Sequence, residues 1–507
     1  MTAPATPQAA PATDLPAPAA DVAAPAVPQA VTDLAAPAVP QAVTDLAVPA
    51  APRTAPVTDL AVPAAPQAAP ATDLPAPAAP QAAPAQPAAV PRFAAPAHSE
   101  QSTGRGTAVA VRRAGTGHLT EARLLFPLTP ASGAHQSRVE VMAEALRDAL
   151  TEAAADLATV RVEARSDRAV IAVRTFADDF AATRARIRDC LDAGRPHEAR
   201  RVREAAGRVA RRLAAAEAAP AFLARSGFLA AAYGPHPYGR AASAAETAGV
   251  DPAHTTALLH GTGAARRRSI VVGPGPAQEL LAQAAALLPR TTTAPHDAPD
   301  GPFQPPAPAP GPRRTVLHPA TPQTLLRLGA LVPGRGHDDY PALQLAALML
   351  GGYYASRLTL VLREREGLAY APRAVLDPLG AHAVLTVEAD VRHDGAARAL
   401  TLIAQETQRL ADGAFTAREL RNAQNYAVGS MAMACSSRSG LASTYAAVLA
   451  SGLPASWPAG YEDRLRALTA HDVARAAATH LATPALTGVV VAPAPMPGLP
   501  PTAPHGT

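Results

Sequence analysis

The chain has 507 residues, 55 of them proline and only 4% of them aromatic, and its 45 basic and 41 acidic side chains leave a net charge of +4. Every lysine-or-arginine position is arginine, scattered among carboxylates with no basic block interleaved with aromatics, which argues against nucleic acid as a partner. No window of about 18 residues is apolar and free of proline and charge, so no membrane partner is expected either.

The first element in chain order is a tail, residues 1–105, made mostly of alanine and proline. Thr-Asp-Leu recurs at Thr13, Thr32, Thr44, Thr58 and Thr72, and Pro-Gln-Ala at Pro7, Pro28, Pro40, Pro66 and Pro80. Proline removes backbone donors and fixes φ, and alanine buries too little area to offset the entropy of ordering. The tail is therefore expected to be disordered, with polyproline II character. It reads as a spacer, or as a docking arm whose Thr-Asp-Leu units bind a partner weakly several times over. Its start has no basic region and no leucine-rich core, so no secretory signal is expected and the location is expected to be cytoplasmic. Cys190 and Cys435, far apart in sequence, fit no metal motif and read as buried thiols in a reducing compartment.

The rest divides at a proline-rich linker, 291–313, into domains at 107–290 and 314–498. In the first, a strand is expected at 121–127. A helix over 138–155 follows, with Val139, Met142, Leu146 and Leu150 on one face. A buried strand is expected at 169–173, helices at 177–192 and 196–217, a strand at 269–273 and a helix at 277–288. The second domain repeats the plan. Strands are expected at 324–331, 383–389 and 487–492, with helices at 339–350, 394–411, 416–434, 441–451 and 470–481. This alternation favours an α+β sandwich over a doubly wound sheet, and no glycine-rich phosphate loop follows any strand.

Local phrases then point to a family. Tyr233-Gly-Pro-His-Pro-Tyr-Gly239 lies in the first half. The second holds Leu350-Gly-Gly352, Ser356-Arg-Leu358, Arg363-Glu-Arg-Glu-Gly-Leu-Ala-Tyr370 and Phe415-Thr-Ala-Arg-Glu-Leu420, followed by Ala423-Gln424. In this order they resemble the insulinase-like M16 zinc peptidases over about 107–495, most strongly in the second half. The resemblance implies two tandem homologous α/β sandwich domains, each a mixed, largely antiparallel sheet with packed helices. It also implies a zinc site of His-x-x-Glu-His and a distant Glu in the first domain, and an Arg and a Tyr seven residues apart in the second that contact substrate beside the metal.

Arg363 and Tyr370 match that spacing. Ser356 is expected to cap a short helix ending near Glu366, with Gly367 as its stop. Leu358, Val361 and Leu362 form its apolar stripe, which leaves Arg363 free to face a cleft. The zinc motif is missing from the sequence. The alignment sets Val141-Met-Ala-Glu144-Ala145 against it, so Val141 and Ala145 stand where histidines would, and neither has a lone pair to offer a metal. Glu144, at the general-base position, reads as a solvated helix residue. Arginines in 209–213, where the third ligand is implied, oppose a cation further. His135, His236, His318, His337 and His382 read as structural or exposed.

The resemblance thus implies a non-catalytic subunit of a heteromeric M16-type zinc peptidase that binds no cofactor itself. Its partner would be a His-x-x-Glu-His paralogue carrying the zinc. Arg363 and Tyr370 would serve the catalytic site by stabilising the carbonyl oxygen of a peptide substrate. Peptide or leader-peptide hydrolysis is the implied reaction. The alternative is a proteolytically inactive M16-fold scaffold or peptide-binding protein.

Overall fold

Short, largely apolar strands, buried on both faces at the centre, build two six-stranded sheets of one design. The computed structural model describes residues 95–502, except 116, 131–132, 261–265, 291–313, 483–485, 498 and 500. The linker expected at 291–313 and residues 1–94 of the tail lie outside them.

The first half runs β1 His98–Thr103, β2 Gly106–Arg112, β3 Leu119–Pro127, α1 His135–Ala154, β4 Ala158–Arg165, β5 Arg168–Phe176, α2 Phe180–Asp192 and α3 Ala199–Ala216. It continues with α4 Pro220–Tyr233, α5 Ala244–Ala248, α6 Pro252–His260, β6 Arg268–Gly273 and α7 Ala277–Leu287. The second half runs β7 Arg314–Leu317, β8 Thr324–Pro333, α8 Tyr340–Ala347, β9 Arg373–Leu379, β10 His382–Val391, α9 Ala396–Ala411 and α10 Ala417–Ala434. It closes with α11 Arg438–Ala450, α12 Tyr461–Ala467, α13 Ala470–His480, β11 Thr487–Ala492 and β12 Pro501–Thr502.

The strand orders are β1-β2-β6-β3-β5-β4 and β12-β7-β11-β8-β10-β9. Setting β1 and β12 aside, the two are superimposable in order and direction: β2 with β6 and β7 with β11 are parallel, and the other pairs are antiparallel. This is the mixed, largely antiparallel α+β arrangement expected. One correction concerns the tail: β1 lies within 1–105 and pairs with β2, so ordered structure starts earlier than the composition suggests. Strands β2, β4, β7 and β9 and helix α4 were also not expected from their patterns.

One face of each sheet packs on helices of its own half. Ala122, Leu124, Phe126, Ile171 and Val173 meet Met142, Leu146, Leu150 and Ile187 of α1 and α2. Leu326, Leu328, Leu385 and Val387 meet Leu343, Ile403 and Val428. The opposite face is covered by a helix from the other half. Phe228 and Ala232 of α4 lie on Leu325, Leu331, Val384, Val489 and Val491 of the second sheet. Leu441, Ala442, Tyr445 and Leu449 of α11 lie on Val109, Val111, Ile270 and Val272 of the first. The approach is close: a Cβ on Gly329 would sit 2.9 Å from Phe228 Cζ and 1.9 Å from the Leu385 carbonyl oxygen. The two domains are therefore interlocked by exchanged helices.

Candidate functional site

Helix α1 presents Val141 and Ala145 to α3. Both are buried, packed with Val202, Ala205, Val209 and Leu213 in an apolar cluster between the two helices. Side chains without donor atoms, closed in by aliphatic neighbours, do not fit a zinc ion. Among the described residues, no group of three or more His, Cys, Asp or Glu could hold a metal.

Glu144, expected to be solvated, is 7% exposed. It accepts from Arg147 Nη1 at 2.7 Å and Arg208 Nε at 3.0 Å, and Arg212 Nη1 lies 3.5 Å away. Burial alone would raise its pKa, but the Arg208 hydrogen bond and the charges of Arg147 and Arg212 outweigh it and hold the carboxyl below the usual range. Paired with three cations, this carboxylate is a weaker base than a free one. Arg212, from the segment implied to supply a metal ligand, donates instead to Glu140 at 3.0 Å.

The second set of expected residues sits after α8. That helix passes into a π-helical turn, Leu348–Gly352, and a second π-helical stretch, Thr359–Arg365, follows. Ser356 precedes the latter, its hydroxyl 3.1 Å from that of Thr359. Arg357 ties the segment to α9 and α10, donating to Glu406 at 3.2 Å and Glu419 at 3.0 Å. Leu358, Val361 and Leu362 are buried as expected. The wide ladder bonds Glu366 N–H to Val361 O at 3.1 Å, and Gly367 ends it at φ +60°. Interruptions of this kind recur at functional sites.

Beyond the glycine, Ala369 bridges to Val391, which holds Tyr370 beside the turn. The Arg363 guanidinium lies 5.0 Å from the Tyr370 ring centroid and 5.3 Å from that of Tyr354. Arg363 Nε also lies 3.4 Å from Glu364 Oε1. Tyr370 is 80% exposed and Tyr354 70%. The spacing of Arg363 and Tyr370 thus becomes contact. Tyr354 is the partner that sequence reasoning missed, although it stands in the Leu-Gly-Gly-Tyr-Tyr phrase. A cation between two exposed phenols offers donors and π faces to a carbonyl-rich ligand.

Residues 265–426 match the family described as the peptidase M16 inactive domain. Those residues belong to the M16 inactive-domain family. No curated protein matches it in sequence. Its fold resembles a peptidase M16 inactive domain from Pseudomonas fluorescens (TM-score 0.67, 21% identity, 80% of this chain and 100% of that one). It also resembles a protease from Helicobacter pylori (0.65, 15%, 78% and 100%) and a chain of complex III2 from Candida albicans (0.59, 12%, 78% and 96%).

The Tyr-Gly-Pro-His-Pro-Tyr-Gly phrase closes the junction between halves. Tyr233 Oη lies 2.7 Å from His382 Nε2, and the His236 and Tyr238 rings meet edge to face at 4.8 Å. Arg165, at the end of β4, makes a two-pronged bond to Asp377 of β9, one prong 2.9 Å long. Gly380 N–H donates to Asp167 at 2.9 Å. Burial pushes His382 down to about 4, so the ring is neutral at physiological pH. His382 and His135 serve structure, as expected: His135 is buried, with Nε2 2.6 Å from the Ser166 carbonyl oxygen. No helix among the described residues is long and apolar enough to cross a membrane.

Proposed function

We propose that this chain is a proteolytically inactive M16-fold protein that binds an extended peptide or a partner subunit without cleaving it. The observation that carries this reading is the apolar packing of Val141 and Ala145 against α3, with Glu144 enclosed by three arginines. The family match to an inactive domain agrees with it.

The exposure of Tyr354 and Tyr370 around Arg363 supports a second reading. In it, the chain is the non-catalytic half of a heterodimer in the cytoplasm, and Arg363 and Tyr370 contact a peptide carbonyl next to the zinc of a His-x-x-Glu-His paralogue. Leader-peptide removal is one reaction such a pair would perform.

Both are tested with the full chain and a fluorescent unstructured peptide. Binding without cleavage is expected, weakened about ten-fold by Arg363→Ala with Tyr370→Phe. Cleavage by the pure chain sinks the first reading. Adding the zinc-bearing paralogue tests the second: turnover should then fall about 10²–10³-fold with Arg363→Ala, and equal turnover would remove Arg363 from the chemistry.

A further inference from the structure

The outer face of the first sheet is only partly covered by α11. Beyond that helix's first turn, a cleft of about 350 Å³ opens between β3, β4 and β5 on one side and α10 and α11 on the other. A second recess of about 410 Å³ adjoins it at the β2–β3 connection. Arg123, Arg161 and Arg174 line the first, and Arg113 and Arg438 the second, with Ser437 and Ser439 common to both.

The two carboxylates on this lining are Glu121 and Glu163. Glu121 is already paired with both Arg123 and Arg174. Among the described residues, three guanidiniums have no carboxylate partner. Arg113 donates to the carbonyl oxygens of Cys435 and Ser436, at 3.2 and 2.9 Å. Arg438 reaches the Arg113 carbonyl oxygen, at 3.4 Å, and its Nε is buried with no partner among the described residues. Arg161, the third, is exposed. Hydroxyls and spare guanidiniums around a recess suit a carboxylate-bearing ligand.

The chain itself supplies such a ligand. Residues 1–94 hold six aspartates and two arginines, leaving 43 basic and 35 acidic residues in the rest. Five of those aspartates are the centres of the Thr-Asp-Leu units: Asp14, Asp33, Asp45, Asp59 and Asp73. The segment joins the fold at the right place. Tyr445 of α11 donates to the Pro96 carbonyl oxygen at 3.3 Å, and its ring lies 5.9 Å from that of His98. From Tyr445 back to Ser439 is ~9 Å along the helix. Asp73 is 22 residues from residue 95, and a chain of that length can extend to ~70 Å at most, so the cleft is within reach.

We propose that the Thr-Asp-Leu units at Thr44, Thr58 and Thr72 of this chain's own N-terminal segment dock in the arginine- and serine-lined cleft at the start of α11, with Asp45, Asp59 or Asp73 on Arg113, Arg438 and Arg161. Each contact is weak, and three interchangeable units on one chain keep the site filled through high effective concentration.

The test is hydrogen exchange on the full chain at low salt, read at 113–119 and 436–443. The comparison is a variant with Asp14→Asn, Asp33→Asn, Asp45→Asn, Asp59→Asn and Asp73→Asn together, which alters no residue of the folded body. Wild type should exchange about three-fold more slowly there, as expected for a weak tethered ligand. The difference should vanish in ~0.5 M salt, where surface charges are screened. Arg113→Gln with Arg438→Gln should remove the protection too; should that variant not fold, the five-aspartate comparison decides alone. Equal exchange in wild type and the five-aspartate variant overturns the proposal. So does equal protection of both by an added Thr-Asp-Leu peptide, which would make the cleft a site for a ligand in trans.

Discussion

Position 144 shows how a side chain's neighbours can reverse its meaning. A glutamate on an amphipathic helix is ordinarily solvated, yet Glu144 is drawn under Arg147, Arg208 and Arg212 because α3 brings two of those cations across from another helix. His382 is the complementary case, a base held neutral. Burial lowers its pKa, helped by His236 and Arg165 and opposed by Asp167 and Asp377. The unfolded chain takes up a proton near 6.5, whereas the folded chain resists until about 4. The stability contributed by neutral His382 is therefore complete above about pH 6.5 and drains as pH falls toward 4. His197, also pushed down to about 4 by burial next to His260, acts in the same direction. For His382→Gln, denaturant melts from pH 7 to 4 should show a pH slope smaller by up to ~1.4 kcal/mol per pH unit. An unchanged slope would mean the imidazole is solvated in the native state.

At the scale of elements, α4 and α11 occupy equivalent places in the two halves, and each lies on the other's sheet. A helix on a sheet's second face needs an apolar stripe, and Ala224, Phe228 and Ala232 supply one at i, i+4, i+8. Phe228 is 4% exposed at the centre of that contact. Phe228→Ala should destabilise the fold by about 3–5 kcal/mol, read from chemical denaturation. A loss below 1 kcal/mol would show that α4 is loosely seated. The π-helical stretch before Tyr370 is an element of another kind. Its apolar stripe was legible from spacing alone, whereas the widened ladder and the bridge from Ala369 to Val391 that follows it were not.

Across the whole molecule, exchange makes the halves dependent on one another. Residues 95–290 alone would leave Val109, Val111, Ile270 and Val272 without their cover from α11. That half, expressed by itself, is expected to aggregate or to lack a cooperative unfolding transition. A sharp two-state melt of the isolated half would refute the interdependence. Joined to this body is an N-terminal segment of opposite charge, so salt should act on the full chain more than on the folded part.

Much of this was legible before any coordinates. The short apolar runs 324–331 and 487–492 mark buried strands because a strand covered on both faces needs apolar side chains in both directions. Valine at 141 and alanine at 145 exclude zinc ligation through their own chemistry, in any fold. Tertiary structure alone decided the exchange of α4 and α11, the burial of Glu144 and the bonds of Arg165 to Asp377 and Tyr233 to His382. Those last contacts join residues 212 and 149 positions apart, and no local pattern encodes a partner that distant. What a side chain is follows from the sequence; what it faces follows from which segments the packed sheets bring together.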